Sequence, residues 1–385
     1  MAKSARIPIT NIYADGAYTG RICVGARRQP LNVLFDTGSS VLALDGRKYA
    51  VDPANGDKTT RLAQYGSYSD GSHWVGGVIK TEVTVGDLRR TGADGPIVAK
   101  RINVAVAHEA TPDMFEKADG ILGLAYSPLD EAWEMGRDTI AHKYKAARVR
   151  EGRYTTIMPY LTMLERQGVV SDVIAFVTHR SFIHRDGGRV ADDPLNQGWM
   201  ILGAGPECRE FYEGRFQTAK VLAEQWYNTN LKAFVVGDSE PVAVHQKAIQ
   251  GYPSNSIVDS GTNSLDIGPL LLKALIGKFK PAQQALLNAA IFEKKPIPMA
   301  ALKLANWPDL DVILQGESRD IRLTVRPKDY WQVNAPKAGL AHTAFSIGDP
   351  GFTILGLPLM NGYYTVFDGE ADNGRGQVRF ATLKR

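Results

Sequence analysis

The feature that most constrains this chain is a short device written twice. Asn32-Val33-Leu34-Phe35-Asp36-Thr37-Gly38-Ser39-Ser40-Val41-Leu42 runs from an apolar stretch into Asp, Thr, Gly and Ser. Far downstream, Ser256-Ile257-Val258-Asp259-Ser260-Gly261-Thr262-Asn263-Ser264-Leu265 repeats that order. One device in two halves of one chain implies duplicated lobes. In each copy an apolar β-run carries a carboxylate to the edge of a core, where glycine lets the backbone turn sharply and approach a neighbour closely. The flanking hydroxyls are placed to orient it. If the two loops face each other, two like charges at hydrogen-bonding distance cannot both ionise at moderate pH, and the pair shares one proton. Such a dyad holds a water, deprotonates it with the ionised member and polarises a carbonyl with the protonated one.

The paired Asp36-Thr37-Gly38-Ser39 and Asp259-Ser260-Gly261-Thr262 resemble the two active-site loops of the pepsin family of aspartic proteases. Each copy is followed by an apolar-apolar-Gly segment, Ile121-Leu122-Gly123 and Ile354-Leu355-Gly356, as in that family. Tyr363-Tyr364-Thr365-Val366-Phe367-Asp368 is very close to the family's C-terminal strand. The resemblance spans nearly the whole chain and is weakest at 130–153, 180–197 and 293–349. It implies a mostly β, bilobal double barrel with a cleft between the lobes. Residues 1–185 would form the first lobe, with one catalytic aspartate and a flap hairpin, and 186–385 the second. It also implies that Asp36 and Asp259 activate water to hydrolyse peptide bonds between apolar residues, with an acid optimum. Ser39 and Thr262 would orient the carboxylates from outside, and Thr37 and Ser260 would tie the loops together beneath Gly38 and Gly261. No cofactor and no metal are implied, and a statine-type inhibitor such as pepstatin should block the enzyme.

The stretch Tyr65 to Gly86 reads as a hairpin: a Gly-rich tip in Tyr68-Ser69-Asp70-Gly71-Ser72-His73-Trp74, then alternation through Val78 to Val85. In the family this hairpin closes over substrate, so the resemblance places the flap tyrosine at Tyr68 and gives Asp70, Gly71 and Ser72 to the flap. Tyr65 is the alternative register. Many members carry a tryptophan seven residues after the first aspartate that bonds the flap tyrosine, whereas this chain has Ala43. One branch with Ala there has a flap tryptophan instead, so Trp74 is expected either to supply the contact through its indole N–H or simply to pack. Ala118 and Ile121 match the family segment behind the first aspartate. With Ala118 where an aromatic often stands, the pocket is expected to be roomier.

Composition bounds the remaining possibilities. A chain of 385 residues with 44% hydrophobic and 22% charged residues is long enough for two cores. No apolar run is long enough to span a membrane, and the start Met1-Ala2-Lys3-Ser4-Ala5-Arg6 lacks the apolar stretch of a signal peptide. The net charge of +4 is scattered over the chain without a dense basic block, which argues against a nucleic-acid partner. Cys23 and Cys208 are the two cysteines, expected in different lobes and unbridged, and no Asn-x-Ser/Thr acceptor is present. These features lead us to expect a cytoplasmic, bacterial-type monomer acting on peptides or proteins, made without the family's prosegment or expressed without it. The charged stretch 130–153 reads as a surface helical insertion. Helices are expected from Met158 to Gly168, from Pro269 to Phe279 and from Pro281 onward.

Other chemistries fail on spacing. His108-Glu109 opens a zinc-protease pattern, but Pro112 stands where the second histidine belongs. His179 and His184 read as solvated or strand-edge residues. No Gly-x-Ser-x-Gly elbow occurs, and Gly203-Ala204-Gly205 lacks the third glycine of a dinucleotide loop. The competing class is a pepsin-fold protein that binds a partner without cleaving it. Such relatives usually lose a catalytic residue, and here both motifs are intact.

Overall fold

The apolar run before Asp36 becomes the strand Gln29–Asp36 in a computed structural model, which describes residues 3–68, 71–89, 95–244 and 252–384. Leu31, Val33 and Phe35 alternate into the core, as a half-buried strand requires. On one side lies Ala17–Val24, antiparallel; on the other lies Gly120–Gly123, parallel, with Asp36 opposite Gly123. The chain after the motif returns as Leu42–Asp45 along the far edge of Gly120–Gly123. The apolar-apolar-Gly segment is thus sandwiched between the strand that enters the loop and the strand that leaves it.

The second half repeats this arrangement. Ser256–Val258 pairs parallel with Thr353–Leu355, which in turn pairs antiparallel with Leu265–Ile267. Glycine is required where each segment passes its loop. A Cβ at Gly123 would lie 2.5 Å from the backbone of Ser40, and one at Gly356 would lie 2.3 Å from the carbonyl oxygen of Thr262.

Most of the first half belongs to one fifteen-stranded sheet whose far end is built from distant parts of the chain. There Ala5–Ala14 pairs with Gln197–Leu202, which pairs with Val173–Val177, which pairs with Tyr363–Asp368, which pairs with Gln377–Leu383. Ile7, Ile9, Ile174, Phe176, Met200, Leu202, Phe367 and Phe380 turn inward from these strands and are at most 2% exposed. Smaller sheets of five, four and three strands complete the second half. Against them pack helices Pro269–Ile276 and Pro281–Ile291, each begun by the proline expected in a first turn. The helix expected near 160 spans Tyr160–Arg166. The architecture is mostly β, as the sequence implies. Cys23 and Cys208 are free, buried thiols, and no described helix is long and apolar enough to cross a membrane.

The stretch 130–153 corrects the helical expectation. It holds one helical turn, Ala146–Val149, while Glu131–Glu134 is a strand that pairs with both Arg153–Thr156 and Lys58–Ser67. Trp133 and Met135 bury against Ala63, Val75 and Val149, and Ala132 is fully buried as well. The charges that look helical in sequence lie on the outer face, where Glu134 meets Arg61 and Arg153. This stretch widens the sheet behind the hairpin of Lys58–Ser67 and His73–Val85 instead of standing apart from it.

Candidate active site

Each aspartate sits where its strand ends and the chain must turn. The backbone N–H of Gly38 donates to Asp36 Oδ1 at 2.8 Å, and the Ser39 hydroxyl donates to Asp36 Oδ2. Likewise the N–H of Gly261 donates to Asp259 Oδ1 at 2.8 Å and the Thr262 hydroxyl to Asp259 Oδ2 at 2.6 Å. Bonds that favour a charged carboxylate therefore come from the outside of both loops.

Beneath them the loops cross-link. Thr37 N–H donates to Ser260 Oγ at 3.1 Å and Ser260 N–H donates to Thr37 Oγ1 at 2.9 Å. The two hydroxyls then donate on, Thr37 to the carbonyl of Val258 and Ser260 to that of Phe35. All four groups are buried and every donor is used, so the loops are locked face to face.

The glycines explain how close the loops come. A Cβ on Gly38 would lie 2.7 Å from Asp259 Oδ2, and one on Gly261 would lie 2.3 Å from Asp36 Oδ1. Each missing side chain is the space that the opposite carboxylate occupies. Asp36 and Asp259 are 5% and 6% exposed. Burial, and after it the charge of Asp36, pushes the Asp259 carboxyl well above the ordinary carboxylate range, against the hydrogen bonds from Thr262 and Gly261.

The dyad opens into a cleft of about 820 Å³. Over it stands the hairpin of Lys58–Ser67 and His73–Val85, with Ser67 opposite His73 and Tyr65 opposite Val75. Its turn is closed by Tyr68 N–H on the carbonyl of Ser72 and Gly71 N–H on that of Tyr68, both at 3.0 Å. Gly71 adopts φ 85°, the left-handed region that favours glycine. Tyr65, Tyr68, Ser72 and Trp74 line the cleft, whereas Gly71 stays at the tip. Asp70, expected in the flap, lies outside the described residues.

Trp74 is fully buried, and its indole N–H faces the Tyr68 hydroxyl at 3.4 Å. The ring fits because both neighbours are small. Ala43 packs in the same cluster, and a Cβ on Gly66 would collide with the indole at 2.3 Å.

The walls differ between the two sides. Beside Asp36 the lining is mainly apolar, Leu34, Val41, Met114, Phe115, Ala118 and Ile121, with the acids Glu116 and Glu131 among them. Phe115 brings an aromatic ring to this wall from the turn before Ala118. Beside Asp259 stand Asn263, Ser264, Asp266, Ser346 and Asp349, with the aromatic trio Trp226, Tyr252 and Phe352. Sequence reasoning named none of these as site residues. Asp266 was the one with a readable signal, because it alternates with Leu265 and Ile267, both fully buried, and so must face away from the core.

The family model for eukaryotic aspartyl proteases matches residues 17–143. Similarity to curated proteins extends further. Cathepsin D of Bos taurus is 24% identical over 92% of this chain and 83% of its own length. Cathepsin D of Dictyostelium discoideum is 27% identical over 98% and 85%. Pepsin B of Canis lupus familiaris is 24% identical over 95% and 82%.

Proposed function

We propose, from the premise that this chain is an aspartic endopeptidase of the pepsin family, that Asp36 and Asp259 form its catalytic dyad. The observation that carries the reading is the mutual fit of the loops, each glycine leaving the space that the other loop's carboxylate fills.

In this reading the peptide lies extended across the cleft under the hairpin, its main chain held by hydrogen bonds and its side chains sorted by the walls. The dyad binds a water. The ionised carboxyl takes a proton from it as its oxygen attacks the scissile carbonyl, and the protonated carboxyl donates to the developing oxyanion, giving a neutral tetrahedral diol. Collapse of the diol breaks the C–N bond. A dyad carboxyl delivers a proton to the departing amine nitrogen, the other recovers one from the diol hydroxyl, and the singly protonated pair is restored. Thr37 and Ser260 keep the two carboxyls from drifting apart. Tyr68, backed by Trp74, covers the bound peptide, with Tyr65 three residues further from the tip.

The apolar wall of Val41, Phe115, Ala118 and Ile121 supports cleavage next to apolar side chains. The division at 185/186 assigns one catalytic aspartate to each half. The free thiols Cys23 and Cys208 support residence in a reducing compartment such as the cytoplasm. The test is hydrolysis of a peptide with two adjacent apolar residues, followed across pH with and without pepstatin. An acid optimum with activity reaching toward pH 6, blocked by pepstatin and indifferent to chelators, is expected. A flat profile through neutrality, or loss of activity to a chelator with recovery on adding zinc, would overturn the dyad.

A further inference from the structure

Among the described residues lining the cleft there are six carboxylates, Asp36, Glu116, Glu131, Asp259, Asp266 and Asp349, and no Lys, Arg or His. The whole chain carries a net charge of +4. The cleft therefore departs in sign from the protein around it, and two of its acids are placed where a substrate would pass. Asp266 projects from Leu265–Ile267 on the side opposite the core. Its carboxyl is half-buried, accepts from the Ser264 hydroxyl at 2.5 Å and from Ser346, and lies close enough to feel the charges of Asp259 and Asp349. Burial, with the charges of Asp259 and Asp349, holds it above the ordinary carboxylate range against the two serine hydrogen bonds, so a cation bound beside it would favour the ionised form. Asp349, at the rim, accepts from the Tyr252 hydroxyl at 3.0 Å. No described cation meets either one.

An independent feature of the same wall points to the same ligand. Tyr252 stacks on Phe352 with ring centroids 4.1 Å apart, and Trp226 closes the group at 6.1 Å from Tyr252. Aromatic faces beside a carboxylate attract an ammonium or guanidinium group while accommodating its aliphatic stem.

We propose that Asp266, with Asp349 and Tyr252, forms a subsite for the side chain of a substrate lysine or arginine, making this protease selective for a basic residue close to the scissile bond. The inference rests on the peptidase reading above and adds its substrate class. An extended peptide turns successive side chains to opposite sides, so an apolar residue on the Asp36 wall and a basic neighbour on the Asp259 wall are compatible in one peptide. Asp266 acts by binding and takes no part in the proton transfers.

The full chain is assayed on peptides with a central apolar pair in which each flanking position is in turn Lys, Arg, norleucine or Glu, with cleavage sites read by mass spectrometry. At one position Lys or Arg should exceed norleucine in kcat/KM by about 10- to 100-fold, mainly through KM, with Glu poorest. Asp266→Asn, which keeps shape and the serine contacts, should bring that ratio close to one. Asp349→Asn should reduce it less, and added salt should reduce it in the wild type. Equal rates for Lys and norleucine at every position, or a basic preference that survives Asp266→Asn, would overturn the subsite while leaving the peptidase reading standing. The wild-type scan decides this even if a variant fails to fold. Cleavage of none of the peptides would overturn the peptidase reading and the subsite with it.

Discussion

Asp36 and Asp259 each take one backbone N–H from the glycine two residues on and one hydroxyl from the residue three on, yet the chain beyond them presents unlike faces to the cleft. After Asp36 the wall is mainly Val41, Phe115, Ala118 and Ile121, with Glu116 and Glu131; after Asp259 it combines Ser264, Asp266, Ser346 and Asp349 with the rings of Trp226, Tyr252 and Phe352. The duplicated device has stayed alike where two carboxylates must meet as equals. It differs where, in the proposed reading, the halves would touch different parts of a substrate. In the proposed mechanism the chemistry needs symmetry because one proton serves both acids, whereas recognition would gain from asymmetry because a peptide has two distinguishable ends.

The largest effect that can test this symmetry is removal of either carboxylate. Asp36→Ala and Asp259→Ala should each lower turnover by more than about a thousandfold with the circular dichroism of the wild type retained, since general acid–base groups contribute on that order. Wild-type-like turnover in either one would break the equivalence. Next comes the flap, which belongs to one half alone. Tyr68→Ala should lower kcat/KM by roughly ten- to a hundredfold and Tyr65→Ala by much less, because positioning errors near a reacting centre are expensive. The reverse order would move the flap register. Smaller again are the crossed bonds beneath the loops. Thr37→Val and Ser260→Ala each leave a buried N–H of the other loop unpaired, and each should cost about 1–3 kcal/mol in thermal or denaturant unfolding. Unequal costs would mean that one half carries the interface.

Titration gives the subtlest comparison, because the dyad is not the only buried acid. Asp259 lies above the ordinary range through burial and the charge of Asp36, so the alkaline limb of activity should fall at higher pH than an isolated carboxyl would place it. Activity should then decline as pH rises and the shared proton is lost. Asp130, buried outside the cleft and hydrogen-bonded by Gln64, is pushed from 3.8 to about 8 by burial. Its native pKa exceeds its unfolded one, so its contribution to stability is complete below pH 3.8 and is lost as pH rises toward 8. Melting temperatures of Asp130→Asn should vary less with pH than those of the wild type across that window, while the activity profile keeps its shape. A shifted activity limb in this variant would show that Asp130 and the dyad are coupled.

The parts of the site that rest on local backbone demands could be read from the chain. Gly38, Gly261, Gly123 and Gly356 sit where the fold leaves no space for a Cβ, and the hairpin declares itself by alternation and a Gly-rich tip. The walls were harder. Phe115 and Asp349 reach the cleft from turns and irregular segments with no period to project their side chains, so their position depends on long-range packing alone. Asp266 did carry a period-two signal, hidden because the motif before it drew the reading to its hydroxyls. The stretch 130–153 misled for a related reason. Its inward residues Trp133, Met135 and Val149 are few, and the basic and acidic residues around them imitate the solvated face of a helix.

The sheet that joins the two halves also bears on how the chain reaches its native state. Ala5 lies opposite Leu202 and Val173 opposite Asp368, so a strand near the start is completed only at mid-chain, and a mid-chain strand only near the end. Contacts so far apart in sequence are slow to form, because the loop-closure entropy must be met before any pairing compensates for it. Until Tyr363–Asp368 arrives, the open edge of Val173–Val177 displays unpaired amides beside Ile174 and Phe176, a template for another chain. A growing chain would be most exposed to aggregation in that interval, and refolding yields should fall steeply with protein concentration.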